Sequence, residues 1–276
     1  MNSISRSIAA VAAAAFTAGA LAQDKPYEPV TGQAGRDAVW VPTPEVLVEK
    51  MLDVAKVTPK DFVMDLGSGD GRMIIAAAKR GVPGLGVEYN PDLVKHAQAL
   101  AQKAGVGHLA RFVQGDMYQA DISKASVLAL FLLPENMRKL TPNFLSLRPG
   151  SRIVVNGFQI PEWDYDHTER ATGDCGSWCT AYLYIVPAKA AGVWQMPQGT
   201  LVLGQRFQHL LGTLVTNGKA VALTDGRLNG AEARFKLGGA QYTGRIDGDR
   251  MTGELAAGAK KAWSATRLAP LPGAER

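Results

Sequence analysis

The sequence predicts a doubly wound α/β domain with a mostly parallel sheet, followed by a small antiparallel β domain. Apolar segments that alternate with helical ones indicate the first unit, and short alternating segments with tight-turn signals indicate the second. With 276 residues, 46% hydrophobic and 20% charged, the chain has the composition of an ordinary globular protein. We expect a leader at 1–22, the α/β domain at 23–190 and the β domain at 191–276.

Five short apolar segments in the first unit are predicted to be strands, and segments with helical spacing separate them. Strands joined in this way pair in parallel through right-handed crossovers, with helices on both faces of the sheet. The fourth segment is apolar on both sides, which is typical of a central strand. The predicted strands comprise residues 62–66, 84–88, 110–114, 126–133 and 151–158.

Proline and capping residues mark the starts of the predicted helices. Thr43 is expected to cap the first helix with its hydroxyl, and Pro44 is expected at the first helical position. Asn90, before a proline and an aspartate, is expected to cap a later helix. Pro134 is expected to start the helix that follows the fourth strand.

The segment from Gly192 onward predicts β-hairpins. Its short runs alternate between apolar and polar residues, and two-residue turn signals lie between them. This pattern predicts a small antiparallel sheet or barrel. The turn signals are Asn217-Gly218, Asp225-Gly226, Gly238-Gly239 and Asp247-Gly248.

The first 22 residues have the three parts of a secretory signal: one cation at Arg6, an alanine-rich apolar run and the triplet Ala20-Leu21-Ala22. We therefore expect export, to the periplasm, with activity in the cytoplasm before export as an open alternative. An alanine-rich leader without a targeting role and a misassigned start codon are the other interpretations. No later stretch reaches the roughly 20 apolar residues of a membrane span, so no transmembrane segment is expected.

The formal net charge of +5 falls by one, to +4, when the leader with its single cation is removed. The remaining chain has no run of lysine or arginine. Nucleic acid is therefore not expected as a partner.

Cys175 and Cys179 are the only cysteines of the chain. In an oxidising compartment, such a close pair is most simply a disulfide. Two free thiols remain an alternative. A zinc site with His167 is another, although the spacing matches no familiar zinc pattern. No metal is expected as a cofactor.

Residues 64–72, MDLGSGDGR, leave a predicted strand and enter a helix. Such a turn places backbone N–H groups and a helix N-terminus at the carboxyl edge of the sheet, where ligands bind. The dinucleotide fingerprint would place Arg72 where a small residue is required. The chain instead has an acid followed by three alternating glycines, which are Asp65, Gly67, Gly69 and Gly71.

This arrangement resembles the first motif of class I S-adenosylmethionine-dependent methyltransferases, which have a Rossmann-like fold. Glu88 ends the second strand, where such enzymes hold the ribose hydroxyls, and Gly115-Asp116-Met117 is similar to the adenine contact of the family. The resemblance implies S-adenosyl-L-methionine as cofactor. The cofactor-binding residues that it implies are Trp40, Thr43, Asp65, Gly67, Ser68, Gly69, Gly71, Glu88, Asn90, Asp116 and Met117.

A narrower resemblance is carried by VWVPTPEVLVEKML, GVEYNP and LFLLPENM. These segments look like a leader-bearing bacterial subfamily that is similar to the mitochondrial lysine methyltransferases of the ATP synthase c subunit and the adenine nucleotide translocase. The resemblance implies methyl transfer to a protein amine of the lysine type, with a small-molecule acceptor also open. It also implies that Trp40 folds over the cofactor, where a ring attracts a sulfonium; otherwise Trp40 plugs the sheet edge.

The acceptor is expected to enter at the loop after the fourth strand, residues 132–136. Pro134 and Glu135 are the candidate catalytic residues of this loop. Glu135 either accepts a proton or favours the N-terminus of the helix through its dipole. The loop lacks the (Asp/Asn)-Pro-Pro-aromatic signature of enzymes that methylate amino groups of DNA bases. Phe158 and Trp163 either line the acceptor channel or belong to the core.

Three functions remain open from the sequence. The first is an active methyltransferase that acts on protein amines, including envelope-associated ones, either before export or with its cofactor supplied outside the inner membrane by an unknown route. The second is a non-catalytic exported module that binds S-adenosylmethionine or another nucleoside, and the third is an envelope interaction protein with a relic pocket. The chain retains Asp65, the three glycines and Glu88, which favours the first two functions, because a relic pocket should tolerate their loss. The β domain departs from the mitochondrial relatives, and its role is not indicated.

Overall fold

The computed structural model describes residues 27–257 and 259–270. Within these residues the chain forms a seven-stranded sheet flanked by helices and a closed eight-stranded antiparallel barrel. The fold class predicted from the sequence is confirmed. The predicted leader, 1–22, lies outside the described residues. No helix in the described ranges has the length and apolarity needed to cross a bilayer.

The α/β unit comes first in the chain. Its helices are α1 (Glu45–Val54), α2 (Arg72–Lys79), α3 (Pro91–Lys103) and α4 (Pro134–Phe144). Its strands are β1 (Val63–Leu66), β2 (Gly84–Glu88), β3 (Ala110–Gln114), β4 (Val127–Leu130), β5 (Arg152–Asn156), β6 (His167–Arg170) and β7 (Thr180–Ile185). The strand order is β3-β2-β1-β4-β5-β7-β6, and the first five are parallel. The order reverses between β1 and β4, where doubly wound folds bind their ligands.

The antiparallel strands β6 and β7 were not among the predicted elements. Strand β7 pairs with β5 and β6 pairs with β7, so both lie at one side of the parallel set. The sequence of β6 is polar and largely exposed, because this strand forms the edge of the sheet. Its residues therefore carry none of the apolar alternation on which the strand predictions depended.

The capping role predicted for Thr43 was wrong. Pro44 is the N-cap residue of α1, with an extended ψ of 138° and no side-chain cap. The helix therefore begins one residue later than expected, and the Thr43 hydroxyl accepts a hydrogen bond from Asn156 Nδ2 at 3.3 Å. The cap predicted at Asn90 is confirmed, since its Oδ1 accepts from the N–H of Asp92 at 2.9 Å.

The barrel contains the remaining strands. They are β8 (Gly192–Met196), β9 (Gly199–Arg206), β10 (His209–Thr216), β11 (Lys219–Asn229), β12 (Glu232–Leu237), β13 (Ala240–Asp247), β14 (Arg250–Ala257) and β15 (Ala259–Ala269). Each strand pairs with the next, and β15 pairs with β8 to close the barrel. Buried side chains fill the interior. Among them, the rings of Phe235, Tyr242 and Trp263 lie 5.2–5.7 Å apart between centroids.

One of the four predicted hairpin turns was wrong. Asp225-Gly226 lies within β11, where the register against β10 and β12 shifts and Asp225 has a positive φ of 52°. A β-bulge uses the same conformational freedom as a tight turn, so the dipeptide alone does not distinguish them. The other three signals lie at the ends of paired strands.

The barrel packs on the α/β unit beside the amino ends of the parallel strands. The ring of Trp163 stacks on Phe207 with centroids 5.1 Å apart, and Arg227 Nη2 forms an ion pair with Asp166 at 2.8 Å. The N–H of Ala188 donates to the carbonyl of Gly230 at 2.8 Å. Ala188 follows the last residue of β7, which pairs with the first residue of β5, so this contact lies at the amino ends of the parallel strands. The barrel therefore lies away from the carboxyl edge that carries the glycine turn.

Candidate active site

A cavity of about 280 Å³ opens at the carboxyl edge of the parallel strands. Six of the eleven predicted cofactor-binding residues line it: Trp40, Gly67, Glu88, Asn90, Asp116 and Met117. The other five lie buried next to the lining: Thr43, Asp65, Ser68, Gly69 and Gly71. All lining residues fall between 33 and 178, so the described strands of the barrel contribute none.

The glycine turn between β1 and α2 is built on left-handed backbone. Gly69 and Gly71 have φ values of +54° and +80°, which residues with a Cβ rarely adopt. A Cβ on Gly71 would lie 2.5 Å from the ring of Phe112, and one on Gly69 would lie 2.9 Å from Cδ1 of Trp40. The turn therefore packs against the sheet on one side and against Trp40 on the other.

Glu88 is fixed at the end of β2 by the backbone around it. Its Oε2 accepts a hydrogen bond from the N–H of Gly69 and its Oε1 accepts one from the N–H of Asn90, both at 2.9 Å. Each carboxylate oxygen keeps acceptor capacity for a second donor. The side chain lines the cavity, so it offers two oxygens at fixed positions to the hydroxyls of a ligand.

Asp65 lies beneath the glycine turn and is only 8% exposed. Burial raises the pKa of its carboxyl well above the ordinary value, and the charges of Glu88 and Asp70 raise it further. Within the described ranges, no group donates a hydrogen bond to this carboxylate. A cation bound at this end of the cavity would favour the ionised form of Asp65.

Residues 33–41, here called the strap, close one side of the cavity. Arg36 Nη1 donates to Asp116 Oδ2 at 2.8 Å, and its guanidinium lies over the ring of Tyr89, 4.7 Å from the centroid. The N–H of Tyr118 donates to Asp116 Oδ1 at 2.9 Å. This backbone hydrogen bond and Arg36 lower the pKa of Asp116. Asp116 thus anchors the strap; its contact with the adenine stays a prediction.

Trp40, at the end of the strap, packs on Gly69 and lines the cavity. This is the position that the resemblance implies for a residue that folds over the cofactor. Its contact with the cofactor stays a prediction. Sequence reasoning missed Arg36, because nothing in the strap sequence indicates its partner 80 residues further along.

The other end of the cavity is formed by the loop after β4. Leu132, Leu133 and Asn136 line it, whereas Pro134 and Glu135 do not. Glu135 is exposed in the first turn of α4, where its charge favours the helix dipole. The catalytic roles of Pro134 and Glu135 stay predictions. Asn136 lies in the predicted acceptor loop, although no separate role was predicted for it, and its buried Nδ2 donates to no described atom.

Three half-buried aromatic side chains complete this end of the cavity: Phe131, Phe158 and Trp178. Their ring centroids lie 5.0–6.3 Å apart. Trp163 is 2% exposed and lies in the core, so of the two aromatics left open by the sequence only Phe158 lines the cavity. Trp178 was missed, because only the fold of the loop before β7 brings it to the end of β5.

The disulfide predicted between Cys175 and Cys179 is confirmed. The two residues are therefore neither free thiols nor metal ligands. In the described part of the chain, no three His, Cys, Asp or Glu side chains lie close enough together to hold a metal ion.

Known proteins share this α/β unit. The family model described as the ANTKMT methyltransferase domain matches residues 65–167. A protein-lysine N-methyltransferase of Saccharolobus islandicus is 40% identical over 150 residues, which cover 53% of this chain and 92% of that protein. The Mus musculus lysine N-methyltransferase of the ATP synthase c subunit is 39% identical over 107 residues, or 38% of this chain and 43% of the mouse protein.

A solved structure shows the same similarity. The crystal structure of an RNA methyltransferase from Salinibacter ruber in complex with S-adenosyl-L-homocysteine is 44% identical, with a TM-score of 0.50. The match covers 53% of this chain and 94% of that one.

The fold and the cavity are those of an S-adenosylmethionine-dependent methyltransferase, and S-adenosyl-L-methionine is the cofactor. Within that class, the chain belongs to the family of the Saccharolobus protein-lysine N-methyltransferase, whose length it covers almost completely. The barrel lies outside the residues that match the family model.

The residues of the cavity fit this cofactor. Glu88 would hold the ribose hydroxyls, and the strap with Asp116 and Met117 would enclose the adenine. Asp65 would favour the ammonium group of the cofactor. The buried Nδ2 of the cavity-lining Asn136 has no partner among the described residues and offers a further hydrogen bond to a ligand.

Gly69→Ala should lower the affinity for S-adenosyl-L-homocysteine about tenfold or more, which corresponds to about 1.4 kcal/mol of binding free energy. The added Cβ disfavours the positive φ and displaces Trp40 from the turn. Gly81→Ala is the matched control, because Gly81 has a similar φ of +76° with nothing within 4 Å of an added Cβ. Titration calorimetry of both variants checks this. Equal affinity in the two variants contradicts the assignment of the turn to the cofactor site.

Asp65→Asn should stabilise the ligand-free protein at neutral pH and weaken ligand binding. The pKa of Asp65 is higher in the folded protein than in the unfolded chain. The protonated carboxyl therefore adds to the free energy of unfolding in full below pH 3.8, and this stabilisation is lost as pH rises through the raised pKa. The gain in Tm of the variant should therefore grow with pH. In the wild type, affinity for S-adenosyl-L-homocysteine should fall on acidification as Asp65 is protonated, and the variant should lack this dependence. Thermal unfolding and calorimetry across pH test both; a variant that binds like the wild type at every pH refutes the role of Asp65.

Proposed function

We propose that this enzyme transfers a methyl group to the side-chain amine of a lysine in a protein acceptor. The observation that carries the proposal is the lining of the acceptor end of the cavity. Five apolar or aromatic side chains and one amide form it, and none of the six is titratable: Phe131, Leu132, Leu133, Asn136, Phe158 and Trp178. The aliphatic stem of a lysine suits such a lining. The relatives described as protein-lysine N-methyltransferases support the same acceptor.

The chemistry requires a neutral amine. When bound, the cofactor supplies an electrophilic methyl group on a sulfonium. Leu132 and Leu133 exclude water from the acceptor end, and an apolar environment lowers the pKa of a lysine amine toward the neutral, nucleophilic form. The carbonyl of Leu133 does not steer the amine, because it accepts hydrogen bonds from the N–H groups of Asn136 and Met137. Asn136 Oδ1 is the oxygen at this end that can accept an N–H of the amine and align its lone pair.

RNA is the competing acceptor, since the Salinibacter protein is described as an RNA methyltransferase. An RNA substrate is held largely through its phosphates by lysine and arginine. Arg36 is the single cation among the cavity-lining residues of the described chain, and it is paired with Asp116. This charge distribution favours a protein acceptor over RNA.

The purified chain should transfer label from S-adenosyl-L-methionine to an envelope protein extract, and not to total RNA. The matched control is the same extract with its lysine amines acetylated, which should remain unlabelled. The rate with subsaturating acceptor should rise up to about tenfold per pH unit between pH 7 and 9, because the neutral fraction of an amine of pKa near 10.4 rises by that factor. Scintillation counting and peptide mass spectrometry measure both. Labelled RNA with unlabelled protein would falsify the proposed acceptor.

We also propose that the enzyme is exported and acts in the periplasm on an envelope-associated protein. The signal-like features of residues 1–22 support export. The disulfide between Cys175 and Cys179 supports an oxidising compartment, since such bonds rarely persist in a reducing cytosol.

A fusion of alkaline phosphatase after Gln23 should be active in cells, because that enzyme requires disulfides formed outside the cytoplasm. The control fusion lacks the apolar run at residues 8–16 and should be inactive at equal expression. Enzyme assays and fractionation provide the measurement. Equal, low phosphatase activity of the two fusions would contradict export and indicate that the enzyme stays in the cytoplasm.

A further inference from the structure

We propose that the disulfide-closed segment between β6 and β7, residues 171–179, forms one wall of the acceptor site, and that Trp178 binds the amine-bearing side chain of the acceptor. We call this segment the disulfide tip. The inference rests on the proposed amine acceptor and adds a residue that determines how tightly this acceptor is bound. The tip lies beyond residues 65–167, to which the family model is matched.

The topology brings the disulfide tip to the cavity. Strand β7 is antiparallel to β5, and Ala181 at its start pairs with Asn156 at the end of β5. The N–H of Gly157 donates to the carbonyl of Thr180 at 2.9 Å. The tip that precedes β7 therefore stands at the carboxyl edge of the parallel strands, beside the loop that follows β4.

The disulfide fixes the backbone on both sides of Trp178. Cys175 and Cys179 are each 5% exposed, and the N–H of Ala171 donates to the carbonyl of Cys179 at 2.7 Å. The N–H of Trp178 donates to the carbonyl of Cys175 at 2.9 Å. The bridge thus closes a single turn, and its fourth residue points back at the sheet.

The end of β5 is shaped to receive the indole. Gly157 has a φ of +69°, and a Cβ there would lie 2.7 Å from Cε3 of Trp178. On its other sides the indole contacts Phe131, at 5.0 Å between centroids, and Phe158, at 5.3 Å. We call Phe131, Phe158 and Trp178 the aromatic wall. A half-buried tryptophan held by a glycine, a disulfide and two rings is an ordered surface facing the cavity.

The chemistry of the aromatic wall suits an alkylamine. Apolar ring faces pack the methylene stem of a lysine, and ring faces attract an ammonium within about 6 Å of the centroid. Among the described residues, no carboxylate lines this end to hold a charged amine in a salt bridge. The wall therefore holds the methylene stem, and it opposes loss of the proton, which methyl transfer requires, less than a carboxylate would.

Trp178→Ala should raise KM for the lysine acceptor about tenfold, the factor that a cation–π and packing contact of this size contributes. The Kd of S-adenosyl-L-homocysteine should not change, because Trp178 lies at the acceptor end. Trp178→Phe should retain most of the affinity. Tyr165→Ala is the control: it removes an exposed aromatic that contacts Tyr182, with centroids 5.2 Å apart, and lies outside the cavity, so KM should remain that of the wild type.

Cys175 and Cys179 are positioning residues: they affect KM only by holding the indole of Trp178 in place. The double variant Cys175→Ser/Cys179→Ser should raise KM with little change in kcat. Combined with Trp178→Ala, it should add nothing further, because both changes remove the same contact. Additive effects of the three substitutions, or an unchanged KM in Trp178→Ala, overturn the proposal. An equal loss in Trp178→Phe and Trp178→Ala, together with weaker cofactor binding, overturns it as well, by showing a structural role.

The acceptor and the wall are tested separately. If the wild type labels no lysine, the proposed function fails, whatever Trp178 does. Calorimetry of Nε-trimethyl-lysine amide with the complex of the enzyme and S-adenosyl-L-homocysteine then tests the wall alone. Binding by the wild type that is lost in Trp178→Ala supports it. Equal binding by both, or binding by neither, overturns it.

Discussion

The carboxylate of Glu88 accepts one hydrogen bond from Gly69 and one from Asn90, and the geometry of the site depends on this pair of bonds. They join the end of β2 to the turn after β1 and to the start of α3. Hydrogen bonds to an ionised acceptor are stronger than neutral ones. Gly69 presents its N–H to Glu88 only with a positive φ, and the absent side chain at Gly69 is what lets Trp40 cover the turn. These hydrogen bonds therefore fix both the position of the Glu88 carboxylate in the cavity and the turn on which Trp40 packs.

The same arrangement concentrates negative charge in ligand-free protein. Burial raises the pKa of Asp65, and the charges of Glu88 and Asp70 raise it further, so a bound cation would favour the ionised form of this carboxyl. A cofactor with an ammonium and a sulfonium relieves that repulsion. The other end of the cavity has the opposite character, since none of the described residues that line it carries a titratable group. Under the proposed function, this apolar end keeps the acceptor amine neutral. The buried Asp65 thus lowers the stability of the ligand-free protein and favours the binding of a cationic ligand.

The sequence predicted the features that local chemistry determines. Apolar strands, the Asn90 cap and the alternating glycines each depend on residues within a few positions, and the structure contains them. Strand β6 escaped prediction because an exposed edge strand needs no apolar pattern. Three other features of the site depend on contacts between distant parts of the chain, and no local pattern predicts them. They are the ion pair of Arg36 with Asp116, the buried Asn136 amide without a described partner, and the position of Trp178 in the cavity. Asp225-Gly226 shows that a local signal can also mislead, since the same backbone conformation occurs in tight turns and in β-bulges.

The two features that follow the matched family region stand at opposite edges of the sheet. The barrel is attached through Trp163, Phe207 and the ion pair of Arg227 with Asp166, beside the amino ends of the parallel strands. Ligand chemistry in a doubly wound sheet takes place at the carboxyl ends. Although the barrel is the larger addition, its described strands therefore contribute no residue to the lining of the cavity. The short disulfide tip reaches the cavity because β7 runs antiparallel to β5, and this reversal carries a nine-residue loop to the edge of the sheet where the cavity opens.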